Sequence, residues 1–107
     1  MATFAENLAT FPAIGHLSGL DIRDAAGKTV HHIPAVPGKL GSLQLYYALA
    51  EKFGNRLDSK AATQGLVWFA EHTADAAAHP GKHPNIDFLK QIIDNNQTLH
   101  IAPLEKQ

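Results

Sequence analysis

His72, Asp75 and His79 recur at helical intervals, and His83 follows beyond a Pro80-Gly81 turn. Imidazole nitrogens and a carboxylate form the ligand set of a divalent metal, the one cofactor these residues suggest. The same groups serve acid–base chemistry. If residues 59–79 are helical, Trp68, His72, Asp75 and His79 share one face, at i, i+4, i+7 and i+11. The two helical histidines would then lie about 10 Å apart along the axis at 1.5 Å per residue. Zinc–nitrogen bonds are only about 2.0–2.1 Å, so one ion does not bridge both. His72 with Asp75, or Asp75 with His79, is the easier pair, completed by His83 or another histidine. The zincin pattern His-Glu-x-x-His is absent. The plainer reading is a solvated polar face with Trp68 half covered.

A second candidate is an anion site. Pro37-Gly38-Lys39 precedes a helix expected to be capped by Ser42, and Pro80-Gly81-Lys82 precedes one expected to be capped by Asn85. Backbone N–H groups at helix starts, with Lys39 and Lys82 beside them, could hold an anionic ligand if the two loops lie close together. The order of residues is not that of a Walker loop. Proline, glycine and a polar cap also open many helices with no ligand at all. His31-His32 lies in an expected strand, where neighbours point to opposite faces and do not chelate one ion. No Gly-x-Ser-x-Gly elbow surrounds any serine. Tyr47 and Trp68 are candidates for an apolar ligand or partner surface.

The elements that must position these groups can be read in order. Thr3 and Glu6 have capping-box spacing, so a short helix is expected before Pro12. Residues 16–23 and 28–33 read as a hairpin across Asp24-Ala25-Ala26-Gly27. A helix capped by Ser42 runs to Phe53 and stops at Gly54. The longest helix runs from a cap at Asp58 or Ser59 to Ala78. A third main helix spans residues 85–94, and Leu99 and Ile101 alternate with His100 in a final strand before Pro103. The expected fold is α+β: a short N-terminal helix, a β-hairpin, three helices and a C-terminal strand completing a small, mostly antiparallel sheet with helices on one side.

The chain has 107 residues, 45% of them hydrophobic, which fits a single domain over residues 1–107 with a real core. Nine basic and ten acidic residues give a net charge of −1, and the two signs are interleaved. No basic stripe exists to neutralise phosphates, which argues against nucleic acid as a partner. With no cysteine, disulfides, thiolate metal sites and cysteine nucleophiles are excluded. Apolar runs such as residues 66–70 are far too short to span a bilayer. No Lys or Arg precedes Arg23, so no secretory signal is expected and a cytoplasmic location is the default.

His31-His32-Ile33-Pro34, Pro37-Gly38-Lys39-Leu40-Gly41 and Gly65-Leu66-Val67-Trp68-Phe69-Ala70-Glu71-His72 resemble segments of a small uncharacterised bacterial protein family. The resemblance covers most of the chain. It implies a bacterial, cytoplasmic, stand-alone domain and carries no activity or site residues. The leading expectation is therefore a small non-enzymatic binding or interaction protein, with a homo-oligomer or another protein as partner. The rivals are a metal-binding protein or small metal-dependent enzyme using His72, Asp75, His79 and His83, and an anion-binding module using Lys39, Ser42 and Lys82.

Overall fold

A computed structural model of the chain describes residues 2–106. In chain order the elements are α1 (Phe4–Leu8), β1 (Leu17–Arg23), β2 (Thr29–Pro34), α2 (Leu40–Phe53), β3 (Arg56–Leu57), α3 (Ser59–Phe69), α4 (Glu71–Ala78), α5 (Pro84–Asp94) and β4 (Leu99–Glu105). The sheet is antiparallel throughout, in the order β2-β1-β4-β3. This is the expected α+β arrangement, with an N-terminal helix and a C-terminal strand that returns beside the hairpin.

Alternation along the strands fixes the core. Leu20, Ile22, Ile33, Leu99 and Ile101 are buried against Leu45, Leu49, Ala62, Leu89 and Ile92 of the helices. His31 and His32 point to opposite faces, as period two requires. His31 stacks on Phe88 of α5 with ring centroids 4.4 Å apart. His32 donates from Nδ1 to Asp21 Oδ1 at 2.7 Å. The burial of Asp21 works to raise its pKa, but His32 and Arg23 outweigh it and hold it below the ordinary value.

Local chemistry explains most boundaries. Thr3 and Glu6 form the reciprocal capping box, with bonds of 3.2 and 3.0 Å. The five-residue helix is held by docking: Phe4 stacks on Phe69 at 5.4 Å, and Phe11 lies 4.7 Å from Trp68. Asp58 caps α3, accepting from the Ala61 N–H at 3.0 Å.

Several expectations need correction. The long helix over residues 59–78 is two helices. Ala70, at φ 53° and ψ −119°, breaks it, and the Thr73 hydroxyl donates across the break to the Leu66 carbonyl at 2.6 Å. Docking of α1 against both pieces favours the break, since Phe4 contacts Phe69 and also donates its N–H to Glu71 Oε1 at 2.8 Å. Trp68 and His72 therefore do not share one straight helical face. Ser42 does not cap α2: the helix starts at Leu40, with Lys39 at the cap position and no side-chain capping bond. Nor does Asn85 cap α5, which starts with Pro84 at its first position. The short strand β3 was not foreseen. It follows two left-handed residues, Gly54 and Asn55, that turn the chain alongside β4, where the Ile101 N–H donates to the Asn55 carbonyl at 2.7 Å. β4 also runs past Pro103. Beyond Ile101 it has β1 on one side only, and a proline is tolerated beside such an open edge.

Candidate functional site

The Asp75 carboxylate is the meeting point of the polar cluster. His83 donates from Nε2 to Asp75 Oδ2 at 2.6 Å, Lys82 Nζ lies 3.1 Å from the same oxygen, and His79 Nδ1 lies 3.2 Å from Oδ1. Asp75 is on α4, whereas its partners come from the end of that helix and the turn leading into α5. The left-handed Gly81 allows this turn, and its N–H donates to Asp87 Oδ2 at 3.1 Å. The hydrogen bond from His83, then that from Lys82, holds the Asp75 carboxyl far below the usual carboxylate range.

Three of the four residues read from the sequence as metal ligands thus converge. They converge on one another: Oδ2 of the carboxylate is held by Lys82 and His83, and Oδ1 faces His79. A metal ion at Oδ2 would compete with Lys82 and His83 for that oxygen. Among the described residues, no group of three or more His, Asp or Glu side chains is disposed to hold a metal ion. His72 stands apart from the carboxylate, edge-on to Phe4 at 5.0 Å and 5.6 Å from the His83 ring.

Behind this cluster lies a cavity of about 170 Å³. Ser42 from the first turn of α2, His72 from α4, and Lys82, His83 and Asn85 from the start of α5 line its polar side. Phe4, Phe69 and Ile86 line its apolar side. Of the residues expected to share an anion, Ser42 and Lys82 line this cavity and Lys39 does not. With the cap position at Lys39, three residues before Ser42, the Ser42 hydroxyl is not spent on capping and lines the cavity.

A larger hollow of about 1070 Å³ opens on the other side of the α3–α4 break. Its walls include Leu66, Val67, Trp68, Ala70, Ala74 and Ala77, and its charged residues are Glu71 and Lys90. Val67 is 64% exposed. Trp68 packs on Phe11, and Lys52 Nζ sits 5.6 Å from its ring centroid. The sequence did contain a signal for this surface. Five consecutive apolar residues, 66–70, cannot all face inward from one helix. Tyr47 lies elsewhere, in a cavity of about 440 Å³ with His16, Glu51 and Glu105. Burial, then Glu51 and Glu105, raises its phenol pKa.

These features define a small α+β domain with a four-stranded antiparallel sheet, a carboxylate-centred polar cluster and an open apolar groove. The chain belongs to the family described as "Uncharacterized protein conserved in bacteria (DUF2322)", whose model matches residues 4–103. Neither the curated proteins nor the solved structures gave a match. Among the described residues, no helix is long and apolar enough to cross a membrane.

Proposed function

We propose that the protein is a non-enzymatic interaction module that works as a homodimer, joined through the α3–α4 face. The observation that carries this reading is the apolar groove beside the helix break, with Val67 64% exposed at its wall. Contiguous apolar surface of this kind marks interaction sites on small domains. The face holds both halves of a self-complementary contact. Val67 is a knob, and Ala70, Ala74 and Ala77 leave room for one. A two-fold axis brings each residue of a patch against the partner's patch, so Val67 of each copy fills the hollow of the other. Glu71 and Lys90 carry opposite charges in the same walls and pair across such an axis.

Sedimentation of the full chain tests this reading. The dimer predicts twice the 11.5 kDa chain mass, reduced to 11.5 kDa by Val67→Glu and unchanged by Lys60→Glu on the exposed surface of α3. A native chain that stays at 11.5 kDa at every concentration overturns it.

A further inference from the structure

We infer that the cavity between the starts of α2 and α5 binds a small organic oxyanion, a carboxylate or phosphate carrying an apolar group. This site is separate from the dimer face and independent of it.

The chemistry of the wall points one way. Lys82 contributes an ammonium. Ser42 contributes a hydroxyl, and His72 an imidazole, neither of which makes a hydrogen bond among the described residues. Asn85 accepts from His31 Nε2 through Oδ1 at 2.7 Å, which leaves its amide NH₂ to donate. No Asp or Glu lines the cavity. Donors from Lys82, Ser42, His72 and Asn85, with no carboxylate in the wall itself, suit a ligand rich in acceptors.

Asp75 supports the site from behind. It does not line the cavity, yet it grips Lys82 at 3.1 Å and His83 at 2.6 Å, fixing two groups that do. Side chains held in place before binding lose less freedom on binding. An ammonium has three N–H donors, so Lys82 can hold Asp75 with one and still offer others to a ligand. Phe4, Phe69 and Ile86 also line the cavity and suit an apolar body attached to the anionic head. A volume of about 170 Å³ limits the ligand to roughly one small ring beyond that head.

Nuclear magnetic resonance titration of the full chain with benzoate and with phenyl phosphate tests the proposal, with benzyl alcohol as the neutral control. The expected result is saturable shifts of the Ser42 and Asn85 amides and the His72 ring with at least one anion, and none with benzyl alcohol. The tighter anion identifies the head group. Lys82→Ala and His72→Phe each weaken binding about tenfold, as loss of a charge-assisted or buried polar contact does. His72→Phe keeps a ring against Phe4 and His83 and removes no bond to the Asp75 carboxylate, so it separates binding from folding. Lys39→Ala leaves binding unchanged. Absence of saturable shifts with both anions, equal response to benzyl alcohol, or full affinity in His72→Phe overturns the inference.

Discussion

His83 and Asp75 are joined at 2.6 Å, the shorter of the two imidazole contacts to that carboxylate. The bond ties the body of α4 to the residue that precedes α5. Two helices connected by a Pro-Gly turn are thereby held at a fixed approach, with Lys82 and His79 completing the clasp.

The clasp makes stability depend on acid. The Asp75 carboxyl lies far below its ordinary 3.8 in the folded chain. A depressed folded pKa stabilises the fold above the unfolded value, and that stability is lost as pH falls through the folded value. Asp75→Asn is expected to lower the melting temperature by a few degrees at pH 7. The gap from native should hold down to about pH 5 and narrow below pH 4. A gap that is constant from pH 7 to pH 2 would show that the ionised carboxylate is not what matters.

The break between α3 and α4 carries strain. Ala70 at φ 53° occupies a region that favours glycine. Such a residue costs on the order of 1–3 kcal/mol, partly offset by the greater freedom of glycine in the unfolded chain. Ala70→Gly is therefore expected to stabilise by about 1 kcal/mol in urea denaturation. Destabilisation instead would mean that the alanine methyl is needed for packing in the groove.

Two glycines mark closest approaches, and they should rank in a definite order. A Cβ on Gly65 would lie 2.7 Å from Leu89 Cδ1 and 3.1 Å from Leu49 Cδ1. Both leucines are fully buried but end in movable methyls, and alanine is the better helix former. Gly65→Ala is expected to cost about 1–2 kcal/mol. A Cβ on Gly19 would lie 2.6 Å from the Ile33 carbonyl oxygen, which the β1–β2 ladder holds in place. Gly19→Ala is expected to cost about 3 kcal/mol. Equal midpoints in chemical denaturation would contradict this ranking.

The sequence by itself determined what depends on neighbours along the chain. Thr3 with Glu6, Asp58 before α3 and Gly54 after α2 carry their capping chemistry within a few residues. Period two in β1 and β2 separated His31 from His32, and the same local logic placed the final strand. The chain also supplied the members of the polar cluster. Tertiary structure decided how they are used. Whether α3 continues through Ala70 depends on Phe4 and Glu71, which lie 67 residues apart and meet only after folding. That break separated Trp68 from the histidines, opened the groove and turned His72 toward Phe4. Whether Asp75 offers its lone pairs to a metal or to Lys82 and His83 depended on the turn at Gly81, which folds the donors back onto it. Periodicity records which face a residue occupies, and only packing between distant segments decides what that face meets.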